Sequence, residues 1–479
     1  MTTILDRPRG VASSGGTDGS QAGWSVQSVG EWLRSPVAPY YLALVSASIL
    51  TGLGLVMVLS ASSVGSYRDN GNSYTVFLDQ LIFGSAGIAL AVLGSRLPVR
   101  MWKKLAWPGI FLALALQVAV FTPLGTDFQG NRNWLSIAGF SLQPSEFGKI
   151  ALVVFGAAVL ATKRRVMHKP FHAAIPLIFP FGMLIVGLVL QGRDLGTGMI
   201  MLAIIAGLLW AAGLPARWFV GLGAVASIGV AVLAAGSANR MQRIQTWIGG
   251  ICDSPHVEGC YQKVHAEYAL ADGGWWGLGL GESREKWGIL PEPHNDFILA
   301  IIGEELGLPG SLAVLVLFAV LAYSCFRVVS QADDGFTRLA AAGIMVWFLG
   351  QALLNIGSVI GMLPIIGVPL PLVSSGGSAL IAALIGIGLL LALARSLPGC
   401  EEAMRGRPGT LRRTLAAVPS GAGSRRSAGA ARGTTVRRPS TGRSTPARTS
   451  TRQSTSRPSV SRQSSARPTA RGRAPGGRR

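Results

Sequence analysis

Residues 40–61 read YYLALVSASILTGLGLVMVLSA and contain no charged side chain. A helix needs about 20 such residues to cross the hydrocarbon core of a bilayer, so this stretch predicts a spanning helix. Further apolar runs with few charges follow it along the chain. The runs lie at about 40–61, 75–95, 105–122, 143–161, 171–190, 195–213, 218–236, 297–323, 339–360 and 376–395. The sequence therefore predicts an all-α polytopic membrane protein with ten transmembrane helices.

The composition of the chain agrees with a membrane protein. Its 479 residues are 49% hydrophobic and 14% charged, whereas about 25% of residues are charged in typical soluble domains. The net charge of +21 is concentrated, because residues 401–479 hold 19 Arg and two acids, a net +17. This segment has too few large apolar residues to fold. Residues 396–479 are therefore predicted to form a disordered cytoplasmic tail that binds anionic lipid or an acidic partner, and a tail without a specific partner is an equal alternative.

The basic residues of the short loops predict the orientation, because Lys and Arg collect on the cytoplasmic side. The loops at 96–104 and 163–169 are strongly basic and alternate with loops that have one or two basic residues. With ten spans, both termini are predicted to be cytoplasmic. Residues 1–39 are predicted to be a disordered arm, and 40–395 the membrane domain. Residues 237–296 form the longest loop, which is predicted to be extracytoplasmic.

Two of the four cysteines, Cys252 and Cys260, lie in this long loop. An extracytoplasmic location is oxidising, so the two thiols predict a local disulfide. Two free thiols are the alternative, since their spacing matches no zinc or redox motif.

Asp296 is the carboxylate best suited to chemistry, because it directly precedes the apolar run from Phe297 to Ile302. Partial desolvation at a membrane rim raises the pKa of a carboxyl group, which suits a general base acting on a sugar hydroxyl. Capping of the following helix is an equal alternative. Glu292 and His294 alternate with Asp296 and could bind a divalent metal with it, but three alternating positions are weak evidence, and no metal site is predicted.

Other polar residues lie in or beside apolar runs, where they mark functional cavities or structural pairs. Glu146 and Lys149 are three residues apart, so they share a helical face and can pair. Arg240 and Arg243 could bind a pyrophosphate or anchor the chain at the interface. Glycines 277, 279 and 281 have no surrounding βαβ unit, so they indicate either a close approach to a phosphate or sugar, or a flexible turn. No Walker, kinase, GxSxG or HExxH motif occurs, which argues against ATP-driven and hydrolase functions.

Five motifs occur in order along the predicted membrane domain. They are MVLSAS at 57–62, LQPSEFGK at 142–149, DLGT at 194–197, LPEPHNDFILAIIGEEL at 290–306, and the run from Gly350 to Ser378 that contains PLPLVSSGGS. Together they resemble the SEDS family (shape, elongation, division and sporulation), the bacterial peptidoglycan polymerases of the FtsW and RodA type. The resemblance covers roughly residues 40–395.

The resemblance implies a glycosyltransferase that performs a hexosyl-type transfer between lipid II and an undecaprenyl-pyrophosphate-linked glycan, outside the cytoplasmic membrane. Asp296 is then the catalytic aspartate, and Glu146, Lys149 and Asp194 belong to a central cavity. The predicted substrate-binding set is completed by Arg240, Arg243, Gln351, Asn355 and Ser375. A lipid II flippase and a non-catalytic division scaffold are the alternatives.

The MVLSAS motif and the long tail favour the FtsW type, acting at the division septum, over the RodA type, acting in elongation. The implied partners are a class B penicillin-binding transpeptidase of the FtsI type and other divisome proteins. Three positions depart from the family pattern. Asn133 replaces a frequent basic residue, Gly192-Arg193 replaces a usual proline, and His265 replaces a common serine.

Overall fold

The structure is a computed structural model that describes the backbone of residues 26–128, 131–137, 140–163, 175–236, 238–249 and 258–405. Cys252 and residues 406–479 of the predicted tail lie outside this part of the chain. The elements are α1 (Val26–Arg34), α2 (Ala38–Asn70), α3 (Thr75–Arg96), α4 (Val99–Ala119), β1 (Gly125–Phe128), β2 (Asn131–Ile137), β3 (Phe140–Leu142), α5 (Pro144–Thr162), a π-helical turn (Leu177–Gly182) that leads into α6 (Met183–Gln191), α7 (Leu195–Ala211), α8 (Arg217–Ala235), α9 (Ala238–Gly249), α10 (Glu258–Gly273), α11 (Ile298–Gln331), α12 (Gly335–Val359), α13 (Gly377–Arg395) and α14 (Cys400–Arg405).

Each of the ten apolar runs overlaps, in its described residues, a helix among α2 to α8 and α11 to α13. Within the described residues, six helices are long and apolar enough to cross a membrane: α2, α3, α5, α11, α12 and α13. Residues 177–191, α7 and the first part of α8 are shorter apolar helices. The fold class is therefore that of a largely helical, multi-pass membrane protein, and the count of ten spans stays a prediction.

Basic residues connect the helix ends at one end of the bundle. Lys103 in α4 pairs with Asp334, just before α12, at 3.0 Å. The Arg395 guanidinium donates to the carbonyl oxygen of Arg96 at 3.1 Å, and Arg327 donates to the carbonyl oxygen of Leu33. The ends of α1, α3, α11 and α13 thus lie together, at the end that the charge pattern assigns to the cytoplasm.

The structure differs from the sequence predictions in four places. Helix α1 forms within the segment 1–39, for which no helix was expected, and α14 forms at the start of the segment 396–479. The loop 237–296 contains the helices α9 and α10, because much of this polar segment has helix-forming composition. An antiparallel sheet in the order β1-β2-β3 joins α4 to α5, an element that the all-α prediction lacks.

Close backbone contacts position the irregular segment 360–376, which connects α12 to α13. A Cβ atom at Gly54 in α2 would lie 2.6 Å from the carbonyl oxygen of Val373. A larger residue would push the two apart, so glycine lets the segment pack directly on a spanning helix.

The orientation is testable with single cysteines at two exposed residues, Glu282 before α11 and Glu402 in α14. In intact cells, a membrane-impermeant maleimide should label Glu282→Cys, whereas Glu402→Cys should react only after lysis, because opposite faces are predicted. Labelling of Glu402→Cys in intact cells would contradict the predicted topology.

Candidate active site

Asp296 lies in a turn immediately before α11 and is half-buried. The helix begins after Phe297, which occupies the N-cap position, and no described side chain bonds to the free N–H groups of its first turn. The capping explanation for Asp296 is therefore wrong, because its carboxylate makes no cap hydrogen bond. This leaves the carboxylate available for chemistry.

The surroundings of Asp296 favour its neutral form more than water does. Burial, helped by the negative charges of Glu292 and Asp194, raises the pKa of Asp296 to about 7, although the positive charge of Arg243 opposes the shift. A carboxyl group that titrates near neutral pH can accept a proton readily and release it again. These influences also show that residues from three separate parts of the chain lie near one carboxylate.

The main chain around Asp296 is fixed by two polar contacts. The Asn355 amide in α12 donates to the carbonyl oxygens of Asp296 and Val368, both at 2.8 Å. The N–H of Ser375 donates to the carbonyl oxygen of His294 at 2.9 Å. Asn355 and Ser375 therefore hold the Asp296 turn through its backbone, whereas the predicted role for both was substrate binding.

Glu146 and Lys149 in α5 form the pair that their spacing predicts, with 2.8 Å between Lys149 Nζ and Glu146 Oε1. Both side chains are buried. Lys149 also donates to Gln351 Oε1 at 2.8 Å, and Gln351 donates to the carbonyl oxygen of Pro369 at 2.9 Å. The charged pair thus supports the segment 360–376 through Gln351.

Asp194 is the N-cap of α7 and accepts a hydrogen bond from the N–H of Thr197 at 2.9 Å. Its other carboxylate oxygen accepts from Gln143 Nε2 at 3.0 Å. The sheet also holds the chain just before Asp194, because the N–H of Arg132 in β2 donates to the carbonyl oxygen of Gly192 at 3.1 Å. Asp194 is therefore a capping residue that also contributes charge near Asp296.

Among the described residues, the non-glycine residues with positive φ are Arg193 (66°), Glu292 (52°) and Leu372 (66°). Arg193 precedes the cap of α7, Glu292 precedes the Asp296 turn, and Leu372 lies in the segment 360–376. Such conformations cost energy and persist where the surrounding structure enforces them, often at functional sites.

Arg243 lies in α9 and lines a cleft with Lys263 and Trp247. The segment 363–365 forms the opposite wall, where the carbonyl oxygen of Ile365 accepts from Arg243 at 3.4 Å. Sequence reasoning missed Lys263, because it lies in a polar helix and matches no motif. The side chain of Arg240 is outside the described residues, so its predicted role stays a prediction.

The family model described as "cell cycle protein", covering FtsW, RodA and SpoVE, matches residues 40–398. The chain belongs to this family. The probable peptidoglycan glycosyltransferase FtsW of Mycobacterium tuberculosis is 40% identical over 388 residues, which are 81% of this chain and 74% of the relative. The corresponding FtsW of Trichlorobacter lovleyi is 36% identical, covering 77% and 97%. The stage V sporulation protein E of Bacillus subtilis is 34% identical, covering 75% and 97%.

Solved structures give the same fold. A chain from work on the structural coordination of polymerization and crosslinking by a peptidoglycan synthase complex aligns with a TM-score of 0.60 at 25% identity, covering 74% of this chain and 96% of that chain. The rod shape determining protein RodA of Thermus thermophilus aligns with a TM-score of 0.55 at 25% identity, covering 74% and 96%. This chain thus has the SEDS fold that its motifs predicted.

Two departures of this family member from the common pattern lie in contact. A Cβ atom at Gly192 would be 2.2 Å from Asn133 Oδ1, so the small residue at 192 makes room for the amide at 133. The third departure, His265 in α10, contacts the Glu285 carboxylate at 3.0 Å. His265 therefore has a polar partner, whereas Asn133 and Gly192 fit each other by size.

Gly277, in the segment 237–296, has a structural explanation. Gly277 has a φ of 78°, and a Cβ atom there would lie 2.3 Å from the carbonyl oxygen of Glu305. Its close neighbour is thus the backbone of α11, and this contact accounts for Gly277 without a ligand.

No three His, Cys, Asp or Glu side chains converge as metal ligands within the described part of the chain. Burial lowers the pKa of His294, with Glu292 opposing the shift, so His294 is neutral at pH 7. Cys260 is disulfide-bonded, and Cys325 and Cys400 are free thiols. The pairing of Cys260 with Cys252 stays a prediction, because Cys252 is outside the described residues.

The Glu146–Lys149 pair gives a stability prediction. Lys149→Met should lower the free energy of unfolding by about 3–5 kcal/mol, because it leaves the Glu146 carboxylate buried without its cation. Unfolding in mixed micelles would measure the change. The double variant Glu146→Gln/Lys149→Met should recover most of the loss, since it removes both charges.

The control is Lys103→Met, which breaks the exposed pair with Asp334. This change should cost about 0–1 kcal/mol, because water already solvates both charges. Equal losses for Lys149→Met and Lys103→Met would show that burial does not strengthen the first pair.

Proposed function

We propose that this chain is a peptidoglycan glycosyltransferase of the FtsW type, which polymerises lipid II at the outer face of the cytoplasmic membrane during septal wall synthesis. The observation that carries the proposal is the carboxylate of Asp296, which does not cap α11. Its pKa of about 7 lies where a general base works best. The names of the similar FtsW proteins support the same activity. Their prevalence among the relatives favours the division role over RodA-type elongation.

In the proposed reaction, the ionised Asp296 takes the proton from the 4-hydroxyl of the acceptor GlcNAc. The hydroxyl oxygen attacks the anomeric carbon of the lipid-linked glycan donor and forms the new glycosidic bond. The bond from that carbon to the donor's pyrophosphate breaks, and undecaprenyl pyrophosphate leaves with the electron pair. Asp296 then releases its proton to water, which a pKa near 7 permits.

The leaving pyrophosphate requires positive charge, and the cleft of Arg243, Lys263 and Trp247 supplies it. Arg243 acts on Asp296 electrostatically, which indicates that the cleft and the base are neighbours. Fixed cations at a developing negative charge are often the largest single contribution to catalysis. The Trp247 ring offers an apolar face to a sugar or lipid. Arg240 would add a second guanidinium, and a divalent metal, if bound, would offset part of the pyrophosphate's negative charge.

A lipid II flippase is less well supported, because a transporter needs a polar path reachable from both sides. The interior charges of Glu146 and Lys149 are instead satisfied by each other and by Gln351. A purely scaffolding role does not explain why the surroundings of Asp296 raise its pKa to about 7.

A crosslinking partner fits the proposed role. One structural neighbour comes from a complex that coordinates polymerization and crosslinking, which supports a class B transpeptidase of the FtsI type as partner here. Helices α11 and α12 are the proposed contact, and other divisome proteins would join the complex at the septum. The Arg-rich tail would bind anionic lipid or an acidic partner in the cytoplasm, with both termini on that side.

Replacing the base tests the mechanism directly. Asp296→Asn keeps the size of the side chain and removes its basicity, so glycan synthesis from labelled lipid II by the purified protein should fall about 10²- to 10⁴-fold. The variant should accumulate and co-purify with its transpeptidase as the parent does. Asp272→Asn, at an exposed carboxylate of α10, is the matched control and should remain active. Parent-like synthesis by Asp296→Asn would refute the assignment.

The pH dependence of synthesis should report Asp296. The rate should rise with pH through about 7, because the ionised form is active, and roughly a tenth of the plateau should remain one unit below the pKa. Glu292→Gln should move this limb to lower pH, since it removes a negative charge that raises the pKa. Arg243→Gln should move it to higher pH, besides slowing the reaction. Shifts in the reversed directions would mean that another group titrates.

A further inference from the structure

Two adjacent glutamates are buried in the first turns of α11. Glu304 is 0% exposed and Glu305 is 1% exposed. Lys286, which is 5% exposed, contacts Glu305 from the preceding extracytoplasmic segment. The proposed reaction uses none of these three residues, yet removing charges from water this completely demands specific partners.

Each carboxylate has its own set of donors. Glu305 Oε1 lies 3.1 Å from Lys286 Nζ and 2.6 Å from the Ser60 hydroxyl of α2, which donates to it. Glu304 Oε1 accepts from the N–H of Arg284 at 2.6 Å. Lys286 also donates to the carbonyl oxygen of Gly281. The contacts therefore join α2, α11 and the segment 281–286 at one point.

Backbone contacts bring the same elements together. The N–H groups of Leu278 and Gly279 donate to the carbonyl oxygens of Glu304 at 2.9 Å and Glu305 at 3.0 Å. Gly307, with a φ of 67°, continues this close approach, because a Cβ atom there would lie 2.4 Å from the N atom of Gly277. A bulky residue at Gly277 or Gly307 would separate the segment 277–286 from α11.

The position of these contacts in the sequence gives them a consequence for Asp296. Lys286 lies ten residues before Asp296 and Glu305 lies nine residues after it. Their ion pair thus closes a loop with Asp296 near its middle. The opposite side of the same loop is held by Asn355 and Ser375 through main-chain hydrogen bonds.

We propose that Lys286 and Glu305, assisted by Ser60, form a clamp that positions the Asp296 turn for proton abstraction. The clamp residues act through Asp296 and do not contact the reacting atoms, so they are positioning residues. This inference rests on the proposed function, and it adds residues to which the sequence motifs alone gave no role.

The clamp needs both charges, because Lys286 and Glu305 each neutralise the other in a buried position. Without Lys286, the Glu305 carboxylate stays buried with only hydroxyl and amide donors, and the segment is driven away from α11 or takes up water. Without the Glu305 charge, the Lys286 ammonium stays buried without a counter-charge, and the same displacement follows. Loss of both charges leaves a neutral contact that can still pack, since buried ion pairs are often replaceable by apolar or neutral groups.

The test uses the purified full-length protein with labelled lipid II. Lys286→Met and Glu305→Gln should each lower kcat about 10- to 100-fold with KM nearly unchanged, because a catalytic group displaced by about 1 Å loses that much rate. The double variant Lys286→Met/Glu305→Gln should recover most of kcat. Ser60→Ala, a milder change that leaves both charges in place, should lower kcat by a smaller factor.

Amide hydrogen exchange of peptides covering 287–297 is the second measurement. Exchange should be faster in both single variants and return towards the parent in the double variant. Lys103→Met, which breaks an exposed pair at the other end of the bundle, should change neither kcat nor exchange in this region.

Parent-like kcat in both single variants would overturn the positioning role, even if exchange rises. Inactivity of the double variant together with parent-like exchange would also overturn it, because that result assigns Lys286 or Glu305 to the substrate itself. If the parent made no glycan at all, the proposed function would fail, while the exchange comparison would still decide whether the clamp holds the segment.

Discussion

Backbone polar groups in a membrane protein must find partners within the protein, because the bilayer core offers no water. The segment 360–376 connects two spanning helices without forming a helix itself, so its carbonyl groups depend on side chains. Gln351 and Asn355, one turn apart in α12, donate to the carbonyl oxygens of Pro369 and Val368. Because Asn355 also donates to the carbonyl oxygen of Asp296, one of the amides that bind this segment also fixes the Asp296 turn.

Much of the architecture could be predicted from the sequence, because apolar runs of spanning length have few alternatives in a membrane. The Glu146–Lys149 pair followed from helical spacing, and the position of Asp296 just before α11 followed from its place at the edge of an apolar run. The clamp could not be predicted in this way. Glu305 pairs with a lysine that precedes α11 and with a serine 245 residues away, and no periodic pattern specifies contacts of that kind. The roles of Asn355 and Ser375 were also missed, because both act through the backbone of another segment.

The unusual residues of this chain illustrate how context changes the meaning of a substitution. Compared with the family pattern, Asn133 and Gly192 are two separate departures, but in the fold the amide occupies the space that a side chain at 192 would need. Residues in such contact have non-additive effects on stability. His265 likewise contacts Glu285, whose N–H lies 3.4 Å from Glu304 Oε1. A change at the half-buried histidine can therefore affect the buried glutamates through Glu285.

The contact between Ser60 and Glu305 also bears on how the protein is made. Ser60 lies in α2, and its partner Glu305 is translated 245 residues later. At about 5–20 residues per second, that interval lasts roughly 10–50 s. This contact can form only after α11 has been made, so α2 must stay accessible to α11 until then. Translation products that end before α11 would lack the partner of Ser60.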